Sequence, residues 1–110
     1  MAYYIVTGNY TVEGMRGMMA KPSDREAAVK PLIEAAGGKI LSYFVTFGDS
    51  DFHMTVEGDD IEGMLAALMV AGASGGIANL KTQQAFTTAD FVSAQKRAQG
   101  MVARFAAPNK

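Results

Sequence analysis

The sequence predicts an α+β domain of the ferredoxin-like type, β-α-β-β-α-β, followed by one further helix. Three observations predict it. Residues 40–62, ILSYFVTFGDSDFHMTVEGDDIE, read as two strands folded back on each other at Gly48-Asp49-Ser50-Asp51, with Asp59-Asp60 opening a helix. Asp51 to Glu57 alternates strictly, Phe52, Met54 and Val56 on one parity and Asp51, His53, Thr55 and Glu57 on the other, the pattern of a half-buried strand. Strand-like and helix-like runs then follow one another in the order β-α-β-β-α-β-α, whose first six elements match the split βαβ plan. Right-handed crossovers place strands one and three at the centre of the sheet and two and four at its edges.

Each element has a local cause. Tyr3 to Tyr10 is rich in β-branched and aromatic residues and reads as the first strand. Thr11 is a candidate N-cap for a segment carrying Val12, Met15, Met18 and Met19 at helical spacing, interrupted by Lys21-Pro22. Ser23 and Glu26 have the spacing of a capping box, with Ala28, Leu32 and Ala35 as the buried stripe and Gly37-Gly38 as the terminator. Pro31 lies inside that pattern and should kink it, since it cannot donate to the carbonyl four residues back. Lys39 to Phe47 is the second strand and Asp51 to Glu57 the third. Asp59, Ile61 and Glu62 repeat the capping logic, and Ile61, Met64, Leu65, Leu68 and Met69 form an apolar stripe ended by Gly72, Gly75 and Gly76. A fourth strand over 77–86 leads through Thr87 or Thr88 into a last helix to about residue 105, whose stripe is Phe91, Ala94, Ala98, Met101, Val102 and Phe105.

At 110 residues the chain has the size of one domain, read as 1–110 with a core over about 3–91. Apolar residues at 49% and charged residues at 19% fit a globular protein. Ten basic and eleven acidic side chains, near net −1, leave no electrostatic footprint for nucleic acid or an anionic membrane. The absence of cysteine excludes disulfides, thiolate metal sites and thiol nucleophiles. MAYYIVTGNY is too short and polar for a signal peptide, and no run approaches the roughly 18 apolar residues of a spanning helix. A cytoplasmic location is therefore expected.

The second strand carries large side chains at both parities, Tyr43, Val45 and Phe47 on one and Ile40 and Phe44 on the other. Two or three helices cover only one face of a four-stranded sheet, and a strand apolar on both sides is usually covered on both. Self-association follows as an expectation: a homo-oligomer, best made by packing two sheets face to face into an α+β barrel dimer, with edge pairing or a trimer as alternatives.

Tyr4-Ile5-Val6-Thr7-Gly8-Asn9-Tyr10-Thr11 with Gly14, the Gly37-Gly38-Lys39 before strand two, and Phe47-Gly48-Asp49-Ser50-Asp51-Phe52 resemble the GYD domain family over about residues 3–91. That family comprises short bacterial and archaeal proteins, and the resemblance implies a ferredoxin-like, dimeric α+β barrel type of fold and no particular activity. The Gly-x-Tyr-Asp motif falls on Gly48, Asp49, Ser50 and Asp51, so serine replaces the tyrosine and any role of its phenol is absent here.

His53, the only histidine, is the first candidate for chemistry. Asp51 or Glu57 on the same strand face, spaced ~6.5–7 Å per two residues, would make it a base or a ligand through one bridging water or metal ion. A metal would need a third ligand, so none is assigned. The alternative is a surface or interface histidine. Asp49 suits the turn and Asp59 or Asp60 a helix cap, which leaves Asp51 without an immediate structural job beyond capping the turn. Gly72-Ala73-Ser74-Gly75-Gly76 spells a nucleophile elbow, but a helix enters it and a strand leaves, the reverse of what that device needs. The methionines on helices read as core filler. Lys96, Arg97 and Arg104 mark a solvated helix face.

The expected function is that of a small oligomeric small-molecule-binding or accessory protein without a cofactor. Its pocket would lie between helices and sheet or between facing sheets, with Tyr3, Thr7, Thr46, His53, Thr55, Gln83 and Gln84 as polar groups. The rival is a cofactor-independent enzyme of proton transfer or oxygenation on a small hydrophobic substrate, with His53 as base and Asp51 beside it. A structural or regulatory oligomer without ligand is the third reading.

Overall fold

A computed structural model describes residues 2–109. The elements are β1 (Tyr3–Tyr10), α1 (Val12–Ala20), α2 (Arg25–Ala35), β2 (Lys39–Val45), β3 (Phe52–Glu57), α3 (Ile61–Ala73), β4 (Ile77–Ala85) and α4 (Thr88–Gln99), then a 3-10 turn over Val102–Arg104. The fold is ferredoxin-like α+β with a C-terminal helix. The four strands form one antiparallel sheet in the order β2-β3-β1-β4, with the first and third central as the crossover rule requires.

One face of the sheet carries the core. Tyr4 and Val6 of β1 and Phe52, Met54 and Val56 of β3 pack there with Ile33 of α2 and Met64 of α3. Gly8 is part of this packing, because a Cβ at that position would lie 2.8 Å from the Phe52 ring. Tyr43 of β2 stacks on the same ring with centroids 6.0 Å apart, and Tyr10 tilts against it at 5.7 Å. The two phenol oxygens meet at 3.0 Å. Burial, followed by that hydrogen bond, pushes the Tyr43 phenol well above its ordinary value.

The structure revises several expectations. Asp24, not Ser23, caps α2, its carboxylate accepting from the Ala27 amide at 3.1 Å. The buried stripe shifts accordingly to Val29, Ile33 and Ala36 in place of Ala28 and Ala35, and α2 runs through Pro31. Asp60 caps α3 by accepting from Gly63 at 2.8 Å, while Asp59 accepts from the Ala2 amide. Met64 and Ala67 are the buried residues of α3, and Ile61, Leu65 and Met69 of the expected stripe face outward. A bulge between Ile40 and Ser42 breaks the parity of β2, so Ile40 and Tyr43 both reach the core side while Phe44 takes the opposite face. The strand ends at Val45, leaving Phe47 fully exposed in the turn. Of the helical methionines only Met64 is buried, so most are not core filler.

The largest difference concerns α4. Thr87 caps it with a full capping box to Asp90, yet none of its residues is buried, and Phe91, Met101, Val102 and Phe105 are all exposed. The radius of gyration is 17.9 Å, with extents of 60 × 31 × 22 Å. A compact chain of this length has a radius near ~13 Å, so the excess accords with a C-terminal helix standing away from the body.

Candidate functional site

The face of the sheet opposite α2 and α3 is where the sequence-derived candidates gather. Directly opposed residues in antiparallel strands point to the same side, so the register orders this face into three rows. Phe44, His53, Thr7 and Lys81 cross the four strands in one row; Ser42, Thr55, Ile5 and Gln83 form the next; Lys39, Glu57, Tyr3 and Ala85 form the third. His53 thus lies away from Phe52 and Met54, between Phe44 and Thr7, and is half-buried. Among the described residues its imidazole makes no hydrogen bond and no group of three His, Asp or Glu side chains could hold a metal ion.

Tyr3, Thr7, His53, Thr55 and Gln83 therefore share one face. Thr46 and Gln84 do not join them. Thr46 lies in the β2–β3 turn, where its hydroxyl donates to the Ser50 carbonyl at 2.6 Å. Gln84 is paired with Tyr4 and so faces the core side. Asp51 has a structural job that the sequence did not reveal: its carboxylate accepts from the Tyr10 amide at 2.9 Å and the Asn9 side chain at 3.3 Å. Asn9 in turn accepts from Asn79, which occupies a positive φ of 54° at the bulge between β1 and β4. The carboxylate is the brace of the β1 end.

Gly75 adopts a φ of 84° after α3, and the Ser74 hydroxyl donates to the Ala71 carbonyl at 2.7 Å, so the Gly-x-Ser-x-Gly string terminates a helix. Two hollows lie off the open face. One of about 660 Å³ opens where α4 leaves the sheet, bounded by Gln84, Phe86, Asp90 and Met101. The other, of about 390 Å³, lies between α1, the start of α2 and the turn into β4. Sequence reasoning missed the second because its walls join residues 10–25 to the distant turn over 74–77. It also missed Lys81 in the His53 row, since only the β1–β4 register brings it there.

The GYD domain pattern matches residues 4–94. The chain belongs to the GYD domain family. No curated protein matches it. Among solved structures, the GYD chain is similar to FFRP-DM1, with a TM-score of 0.52 and 16% identity over 78% of this chain and 100% of the other. It is also similar to an AsnC family transcriptional regulator from Agrobacterium tumefaciens, with a TM-score of 0.51 and 15% identity over 78% of this chain and 50% of that one. At these identities the similarity establishes the fold.

No helix among the described residues is long and apolar enough to cross a membrane.

Proposed function

We propose that this GYD protein is a self-associating small-molecule-binding module whose site is completed when two copies bring their open sheet faces together. The observation that carries this reading is the composition of that face. It offers Phe44 at 64% exposure and Ile5 beside a set of hydrogen-bonding groups, Tyr3, Thr7, His53, Thr55 and Gln83. Covering Phe44 favours association. Association in turn removes the polar groups from bulk water, and buried polar groups need partners. A ligand with both donors and acceptors supplies them in a chamber of mixed character. The assignment of binding over catalysis rests on Asp51, whose carboxylate is occupied at the β1 end.

Native mass spectrometry of freshly purified protein is the test. The expected spectrum shows a dimer carrying a small-molecule adduct, with His53→Ala and Thr55→Val losing the adduct and keeping the dimer. A monomer throughout, or an adduct indifferent to both substitutions, overturns the proposal.

A further inference from the structure

We propose a second binding site on the other side of the sheet, in the groove of about 390 Å³ between α1, the first turn of α2 and the α3–β4 turn, for a small apolar carboxylic acid. The volume falls within the range of small-ligand sites. The Tyr10 ring, Met18 and Ile77 supply apolar wall, and Lys21, Ser23 and Arg25 supply the polar end.

Arg25 is the residue on which the inference turns. Its Nη1 donates to the Ser23 hydroxyl at 3.3 Å, while its Nε is buried with no hydrogen-bond partner among the described residues. A guanidinium has five donors and no acceptor capacity; the Ser23 hydroxyl takes one, so the Arg25 side chain that lines the groove keeps Nη donors for an acceptor from outside the chain. Neither Arg25 nor Lys21 forms an ion pair among the described residues, although the Glu26 charge is felt, as is that of Arg25, at the neighbouring Tyr43 phenol. Two cations without an ion-pair partner among the described residues, both lining a mainly apolar groove, suit one carboxylate, which a guanidinium binds in fork geometry. The Tyr43 phenol, raised by burial and hydrogen-bonded to Tyr10, adds no competing charge.

The α1 wall is shaped for an occupant. A Cβ added at Gly17 would meet nothing within 4 Å, so the helix leaves open space where it borders the groove. A larger side chain there would fill the groove without disturbing the fold, since most residues favour a helix over glycine.

Benzoate, with benzamide as its neutral counterpart, provides the probe, followed by two-dimensional amide NMR of the full chain. Benzoate is expected to shift the amides of Gly14, Gly17, Ser23, Arg25 and Gly76 saturably, and benzamide to bind at least about tenfold more weakly. Arg25→Gln should weaken benzoate by a similar factor and Gly17→Leu should abolish the shifts, each with an unchanged circular dichroism spectrum. Gly17→Leu keeps the test decisive if Arg25→Gln fails to fold. No saturable shift at the probe's solubility limit, equal binding of benzamide, or binding unaffected by Gly17→Leu overturns the proposal. Binding of inorganic phosphate to the same amides in preference to benzoate overturns the carboxylic-acid assignment. Because this groove lies on the opposite side from His53, its failure is independent of the sheet-face site.

Discussion

Phe44→Ala should dissolve the proposed self-association while leaving the subunit folded. Phe44 projects from β2 onto the open face opposite His53, outside the core formed by Tyr4, Val6, Ile33, Phe52, Met54, Val56 and Met64. Its ring remains 64% exposed in the single chain. Complete burial of a phenylalanine side chain contributes about 1.5–3 kcal/mol, so covering the remaining two-thirds contributes about 1–2 kcal/mol per ring. A two-fold interface uses each ring once from each copy, which doubles the effect to about 2–4 kcal/mol. The Kd of self-association should therefore rise roughly 30- to 1,000-fold. Sedimentation velocity over a dilution series reads that change, and thermal unfolding of the monomer confirms that the subunit is intact. Wild-type protein that sediments as a monomer at micromolar concentration, or a variant whose Kd is unchanged, would refute the reasoning.

Three further outcomes follow from the geometry. Gly8→Ala places a methyl 2.8 Å from the Phe52 ring and should cost about 1–3 kcal/mol of stability by overpacking, read as a lowered urea midpoint. Asp51→Ala leaves the Tyr10 amide without its acceptor and Asn9 with only the Asp49 carbonyl, and should cost about 1–3 kcal/mol, with faster hydrogen exchange at Tyr10 and no loss of the sheet order. The Tyr43 phenol, raised chiefly by burial and next by its bond to Tyr10, releases its proton from the unfolded chain before the folded one, so its contribution is present below the unfolded value of about 10 and is lost as pH rises above it; Tyr43→Phe should flatten that alkaline decline in thermal unfolding.

How much of this was legible in the sequence depended on whether the deciding contact was local. The register of β3 was legible because Phe52, Met54 and Val56 alternate without a break, and a slip of one residue would bury Glu57. The face of Phe44 was not secured in the same way, because the bulge at Ile40–Ser42 carries no glycine or proline to announce it. The phase of α2 was displaced because two adjacent short polar residues, Ser23 and Asp24, compete to cap it, and the carboxylate takes the Ala27 amide. The task of Asp51 was hidden for a different reason. Its partners Asn9 and Tyr10 lie some forty residues earlier, and only the pairing of β1 with β3 brings them within reach. The polar groups of the open face were legible on β1 and β3, while Thr46 and Gln84 were drawn in from a turn and from the wrong parity.

The apolar stripe expected of the last helix runs past its end at Gln99 into the 3-10 turn over Val102–Arg104, and none of it is buried within the chain. A 3.6-residue period states which face of a helix is apolar; it does not state which molecule covers it. The phenylalanines make the same point. Five of the six, Phe44, Phe47, Phe86, Phe91 and Phe105, are more than 60% exposed, and only Phe52 is buried. Scattered exposed apolar residues are ordinary in a monomer, but large rings concentrated on one strand face, its turn and the outlying helix are not. Phe44 and Phe47 bound one end of the open sheet, and Phe86 and Phe91 mark where α4 departs from it. One association that laid a second sheet on the first and a partner's surface along α4 would cover both ends together. Under the proposed association, the open face and the projecting helix would be two parts of one core completed by a second copy, and the His53 row would lie in its interior.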